Sequence, residues 1–232
     1  MKVHVVGGGL AGCEAAWQLA KKGLPVCLHE MRPHKMTPAH ETGHLAELVC
    51  SNSLKSLSED SAPGQLKREM LALGSLIIES GYQARVPAGQ ALAVNRELFS
   101  EAISQSLLKT GLVERVHQEV TSIPSYEELE ANNEAWVIAT GPLTSDLLAE
   151  RIREMAGGAK RLHFYDAIAP VIDAESINMD SAFFADRWQK GEDGGDYLNL
   201  AMNEKEYNDF IDAVTEIGRA HVSTPVTSGY LV

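Results

Sequence analysis

Three features of this 232-residue chain predict an α/β fold around a parallel sheet. An apolar run opens the sequence, Lys2-Val3-His4-Val5-Val6, and has the character of a strand buried on both faces. Glycines follow at once, at positions 7, 8, 9 and 12, leading into Ala15, Ala16, Leu19 and Ala20 at helical spacing. After a Gly23 stop comes a second apolar run, Pro25–Glu30. Strand, helix and strand in succession make a βαβ unit.

The later elements follow in order. Residues 31–43 carry Pro33, Pro38, His34 and His40 and predict an irregular loop of the site-forming kind. Leu66, Met70, Leu73 and Ile77 predict one long amphipathic helix near 65–80. Ala91–Val94 is a brief strand, and Asn95 caps a helix through Lys109. Leu112–Ile123 and Glu134–Thr140 are expected strands, and Ser145–Ala156 is a helix. His163–Asp173 is another apolar strand, opening a different subdomain, and Glu204–Val214 is the last helix.

Composition excludes several classes. With 44% hydrophobic and 22% charged residues, disordered, collagen-like and disulfide-scaffold chains are ruled out. No run approaches the ~18 apolar residues of a membrane span, and the first strand is too short for a signal peptide. Cys13, Cys27 and Cys50 lack framework spacing, so reduced thiols and a cytoplasmic location are expected. A net charge of −12 repels nucleic acid and anionic membrane at long range. Arg32 with Lys35, Lys67-Arg68, and Arg151, Arg153, Lys160 and Arg161 are the candidate basic patches, each expected to be a solvated face or an ion-pair partner.

Gly7-x-Gly9-x-x-Gly12 stands between predicted strand and predicted helix. In that context the first glycine allows the tight turn, the second lets backbone approach a pyrophosphate, and the third lets helix and strand pack closely. The helix N-terminus adds N–H groups and a positive dipole. Glu30 ends the second strand, where a carboxylate accepts hydrogen bonds from ribose hydroxyls. The expected dinucleotide site therefore comprises Gly7, Gly8, Gly9, Leu10, Ala11 and Gly12 with Glu30, Met31 and Arg32. An acid at the strand end disfavours a ribose phosphate, and hence NADP as the primary ligand. Trp136-Val137-Ile138-Ala139-Thr140-Gly141-Pro142 resembles the second flavin-contacting strand of two-dinucleotide-binding flavoproteins. That favours FAD, held also by Thr140 and Gly141, over an ordinary strand and turn.

Cys50, in Leu48-Val49-Cys50-Ser51-Asn52-Ser53, sits among small polar groups whose donors stabilise a thiolate. It is a candidate catalytic thiol or a plain structural residue. Cys13 and Cys27 are most simply packing residues. A zinc site from His34, His40, His44 and Cys50 requires a helical loop, which Pro38 and Gly43 oppose, so no metal is expected.

Gly7–Trp17, Glu30-Met31-Arg32-Pro33, Met36-Thr37-Pro38-Ala39-His40, Ala46–Leu54, Val86–Phe99, Ala139–Ser145 and Phe164-Tyr165-Asp166-Ala167 together resemble the TrmFO family of folate- and FAD-dependent tRNA (uracil-5-)-methyltransferases. The Thr-Pro-Ala-His and Leu-Val-Cys-Ser-Asn-Ser phrases are specific to it; the related GidA/MnmG wobble-uridine flavoproteins share the glycine motif without them. The resemblance implies a Rossmann-like FAD-binding domain of the two-dinucleotide-binding flavoprotein type, with the start of an inserted second domain. It implies reductive methylation of C5 of the T-loop uridine of tRNA, with 5,10-methylenetetrahydrofolate as methylene donor and NADH or NADPH as reductant. It makes Cys50 one of two functional cysteines, and His40, Asn52 and Arg96 candidate substrate contacts. A FAD-dependent oxidoreductase with no nucleic-acid role, or a GidA/MnmG-like tRNA-modification flavoprotein, are the alternatives.

Three departures from the family pattern stand out. Asn95 replaces an expected aspartate, Cys13 an expected serine, and the chain is far shorter than family members. The expected division is a dinucleotide-binding domain over 1–161, lacking its C-terminal segment, the start of an inserted α/β domain over 162–216, and a non-native read-through tail over 217–232. On that reading most of the surface for the tRNA T-arm lies outside this sequence. The chain alone is then expected to retain FAD weakly and to transfer no methyl group.

Overall fold

The computed structural model describes residues 1–157, 174–185, 195 and 197–223. The chain divides into two units, Met1–Val171 and Ile172–Val232.

The first unit is built on strands β1 (Lys2–Val6), β2 (Val26–His29), β6 (Val113–Val116) and β7 (Glu134–Ile138), all parallel, in the order β6-β2-β1-β7. A three-stranded antiparallel sheet, β3 (Ser53–Ser56), β4 (Arg85–Val86) and β5 (Ala91–Val94), runs in the order β3-β5-β4. Its described residues also form helices α1 (Leu10–Lys21), α2 (Ala62–Ala72), α3 (Leu76–Gln83), α4 (Arg96–Lys109), α5 (Tyr126–Asn132) and α6 (Asp146–Met155). The predicted βαβ start and parallel sheet are present. The expected strand over 112–123 is only four residues long, and α5 forms on a Ser125–Glu128 capping box.

β1 is largely buried on both faces, as predicted, with Val3 and Val5 on one and Val6 on the other. Side chains alternate across a strand, and Val5, Val26 and Leu28 enter a core with Cys13 and Ala16 of α1, Leu76, Ile77 and Ile78 of α3, and Phe99, Ile103 and Leu107 of α4. The other face carries Val6 together with His4, Cys27, His29 and Trp136, so polar and aromatic groups share it with aliphatic ones.

The predicted long helix is two helices. Gly74, at φ +70°, breaks it, and Ser75 caps α3 by accepting from the Ile78 N–H. The break docks on α1: Gly74 O accepts from Trp17 Nε1 (3.0 Å) and Gln18 Nε2 (3.2 Å), while Glu14 accepts from Ser75 Oγ (2.7 Å) and Ile77 N (3.1 Å). Leu66 and Leu73 are consequently exposed, and Ile77 is buried. Gly74→Ala is expected to destabilise the chain by about 1–2 kcal/mol, the cost of a left-handed non-glycine residue. Urea unfolding tests this, and an unchanged midpoint would show that the break does not need that conformation.

Lys67 departs from the expected solvated face or ion pair: it is buried, and its Nζ donates to Ser56 O and Pro63 O. Arg32 is an ion-pair partner, as expected, but a buried one, in the network described below. Arg68, Arg151 and Arg153 lie on exposed faces as expected, the latter two paired with Glu154 and Glu150. Lys160 and Arg161 lie outside the described residues. Asn95 caps α4 by accepting from the Leu98 N–H at 3.1 Å, so the amide serves where an aspartate was expected.

In the second unit, β8 (Ala182–Ala185) and β9 (Tyr197–Leu200) form an antiparallel pair, and α7 spans Glu204–Ser223. That helix continues past Val214, where the sequence pattern predicts its end. The strand expected over 163–173 lies outside the described residues. Among the described residues no helix is long and apolar enough to cross a membrane.

Candidate dinucleotide site

The C-terminal ends of β1, β2 and β7 converge on a cleft of about 300 Å³. Its floor is the glycine turn, and each glycine has a distinct reason to be there. Gly7 has φ +105°, and a Cβ there would lie 2.6 Å from Ala139 O. A Cβ on Gly12 would lie 1.8 Å from Gly7 O, so α1 could not seat against β1. A Cβ on Gly9 meets nothing within 4 Å, so the space before it suits close approach by a ligand. Gly9 also caps α1 without a side-chain hydrogen bond, and the first turn of α1 has no acidic residue. Those N–H groups and the helix dipole suit a diphosphate.

Thr140 and Gly141 form the wall opposite, after β7, and Met31 and His40 line the cleft as well. Thr140 Oγ1 lies 2.6 Å from Thr144 Oγ1, and His40 Nδ1 lies 2.6 Å from Thr37 Oγ1. All the sequence-predicted dinucleotide residues except Gly12, which packs beneath the turn, line this one cleft.

Glu30 and Arg32 behave in a way the sequence does not reveal. A carboxylate offers about four acceptor positions, and four donors occupy those of Glu30. Oε1 accepts from Arg32 N and Nε, both at 3.0 Å, and Oε2 from Gly8 N (2.8 Å) and Arg32 Nη2 (3.1 Å). Burial alone would raise the Glu30 pKa, but these hydrogen bonds and the guanidinium charge hold it below the ordinary carboxylate value. Arg32, only 2% exposed, reaches on to Glu47 Oε2 (2.8 Å) and Thr42 O (3.3 Å). Glu47 in turn accepts from Glu41 N, Thr42 N and Thr42 Oγ1. A polar chain therefore ties the glycine turn to the loop over residues 41–47. Glu47 lies within the Ala46–Leu54 phrase, but nothing in that phrase signals this pairing, which emerges only when the loop folds back.

Of the other predicted residues, Asn52 and Arg96 share a separate shallow depression with Val94 and Asn95, away from His40. Asn52 Nδ2 donates to Val94 O at 3.2 Å. Cys50 is exposed, next in sequence to Val49, which lines the cleft. Cys13 and Cys27 are buried; burial pushes the Cys13 thiol up to about 12, and its Sγ donates to Gly8 O. Cys13 is thus a neutral packing thiol. Gln118, Glu119 and Val120 also reach the cleft, just beyond β6, a position with no signature in sequence. Lys35 pairs with Glu119 at 2.7 Å across the rim.

A parallel sheet of this order, with a glycine turn at a helix N-terminus and an acid ending the second strand, defines a dinucleotide-binding α/β protein of the Rossmann kind. The family model described as glucose inhibited division protein A matches residues 2–229, and the chain belongs to that family. Among relatives, it is 51% identical over 212 residues to the Methylenetetrahydrofolate--tRNA-(uracil-5-)-methyltransferase TrmFO of Geobacter sulfurreducens, covering 91% of this chain and 46% of the relative. The protein of the same name from Aquifex aeolicus is 51% identical over 211 residues, covering 91% and 45%. The chain thus spans about half the length of these relatives. Among solved structures, Thermovibrio ammonificans THI4 is similar at TM-score 0.40 and 20% identity, covering 67% of this chain and 62% of that one.

Proposed function

We propose that this chain supplies the FAD-holding part of a methylenetetrahydrofolate-dependent tRNA (uracil-5-)-methyltransferase acting in the cytoplasm. The observation that carries the proposal is the cleft itself, in a chain half of whose aligned residues are identical to relatives bearing that name. The first turn of α1 and Gly9 would receive the diphosphate, and Thr140 and Gly141 would border the ring system. Ribose hydroxyls reaching Glu30 would exchange against part of its Arg32 contact. FAD supplies the hydride chemistry that no side chain provides, with NADH or NADPH as its reductant.

Cys50 is the catalytic candidate. C5 of uracil is a weak nucleophile until a thiolate adds to C6, and Cys50 is the exposed cysteine of the three. His40 at the cleft, and Asn52 with Arg96 in their own depression, are the proposed substrate contacts for folate and the T-arm of tRNA.

The test is a chimera in which residues 1–216 of this sequence replace the matching part of the Geobacter relative. Methylenetetrahydrofolate-dependent incorporation of label into tRNA supports the proposal, and flavin reduction without incorporation favours an oxidoreductase instead. In an active chimera, Cys50→Ala is expected to lower methyl transfer about a thousandfold or more while NAD(P)H still reduces the flavin. Undiminished transfer would remove Cys50 from the chemistry.

A further inference from the structure

On the sheet face opposite the aliphatic core, three groups with metal-binding chemistry converge. His4 and Cys27 are register partners on β1 and β2, and His29 lies two residues beyond Cys27, on the same face. One ligand-type atom from each lies within 4.8 Å of the others. His4 Nδ1 and His29 Nε2 are 2.9 Å apart. Trp136, from the other neighbour of β1, stacks on both rings, with centroids 4.9 Å from His4 and 5.7 Å from His29.

We propose that His4, Cys27 and His29 form a binding site for a zinc-class divalent cation, through His4 Nδ1, His29 Nε2 and Cys27 Sγ. Two imidazoles and a thiolate are a donor set suited to that borderline-soft ion, leaving a fourth position for water. Tetrahedral zinc at ordinary bond lengths holds such atoms ~3.3–3.6 Å apart, so the histidine pair opens by a few tenths of an ångström and the thiol, within 4.8 Å, closes by up to about 1.2 Å. The outer nitrogens, His4 Nε2 and His29 Nδ1, are buried and have no hydrogen-bond partner among the described residues. In a simple histidine–histidine hydrogen bond, one of these two is left as a buried, unused lone pair. In the metal-bound site both carry protons, and Glu134 Oε1, 3.5 Å from His4 Nε2, stands where a carboxylate commonly orients a ligating histidine.

The protons balance. The one shared between the two rings moves to an outer nitrogen as both inner lone pairs turn to the metal. The Cys27 thiol, whose pKa burial raises, loses its proton to solvent on binding, so one proton leaves per ion bound. Burial and then His4 lower the pKa of His29, keeping that imidazole neutral and ready to ligate. This site shares no ligand with the His34, His40, His44 and Cys50 set considered from sequence. Strand pairing, not sequence spacing, assembles it.

The experiment is titration of the reduced 232-residue chain with Co²⁺, followed by displacement with Zn²⁺. One equivalent of cobalt with a thiolate-to-cobalt charge-transfer band, bleached by zinc, is expected. Cys27→Ser should abolish the band, and His4→Gln or His29→Gln should weaken binding at least about tenfold. Cys50→Ser should leave the spectrum intact. Far-UV circular dichroism identifies any variant that fails to fold, and the remaining variants then decide. Absence of the band in the unmodified chain overturns the proposal, as does a band that survives Cys27→Ser and vanishes in Cys50→Ser.

Discussion

Gly12→Ala should unfold much of the site, whereas Gly9→Ala should leave the fold intact and weaken the ligand. The added Cβ at Gly12 would stand 1.8 Å from Gly7 O and 3.0 Å from Gly7 C, both backbone atoms of the turn. Neither can rotate away, so α1 must lift from β1, whose residues share its core. Overpacking of this kind costs about 3 kcal/mol or more, a fall in Tm on the order of 6–12 °C for a chain of this size. At Gly9 the backbone is extended, with φ −78° and ψ −170°, and a Cβ meets nothing. Stability there should change by no more than about 0.5 kcal/mol. The methyl group would instead occupy the space where a diphosphate approaches α1, so FAD affinity should fall at least about tenfold. Thermal unfolding and flavin-fluorescence titration of both variants separate the two roles. Normal FAD binding by a well-folded Gly9→Ala chain would move the diphosphate elsewhere.

The second large effect is expected at Arg32. Its guanidinium, 2% exposed, binds both Glu30 and Glu47. Arg32→Met removes the cation that both poorly solvated carboxylates share, leaving Arg115 as a positive charge acting on Glu30. Removing one partner from a buried ion pair costs about 3–5 kcal/mol, and that loss should appear in urea unfolding at neutral pH. The pH dependence is diagnostic. In the parent chain the Glu30 carboxyl is held below its ordinary 4.5, so its stabilising contribution is complete above 4.5 and is lost as pH falls through the lowered folded value. Without Arg32, burial raises the Glu30 pKa, and protonation relieves the variant as pH falls. The stability gap between the two chains should therefore be widest near neutrality and narrow below pH 4.5. A second substitution, Glu30→Gln, should recover part of the loss at neutral pH. A gap that does not change with pH would mean that lost packing, not charge, dominates.

Much of the fold was legible because its signals are local. The strand, glycine turn and helix over residues 2–21, the Asn95 cap and the helix Asp146–Met155 each depend on residues a few positions apart. The convergence of Gly7–Ala11, Glu30 and Thr140-Gly141 was legible for a related reason. Each stands at the C-terminal end of a strand, and parallel strands bring those ends to one edge. The helix predicted over 65–80 failed where a glycine break, docked on α1, outweighed helical periodicity.

By itself, the sequence determined the βαβ start, the order of the main elements, the glycine turn with its helix N-terminus, and the family phrases around Cys50. Only the tertiary structure decided that Arg32 is an interior residue tying Glu30 to Glu47, that Asn52 and Arg96 lie apart from His40, and that His4, Cys27 and His29 meet under Trp136. The physical reason is the same in each case. Burial and charge pairing depend on which distant segments the fold places side by side, and a buried arginine or a cross-strand histidine pair carries no periodicity along its own chain.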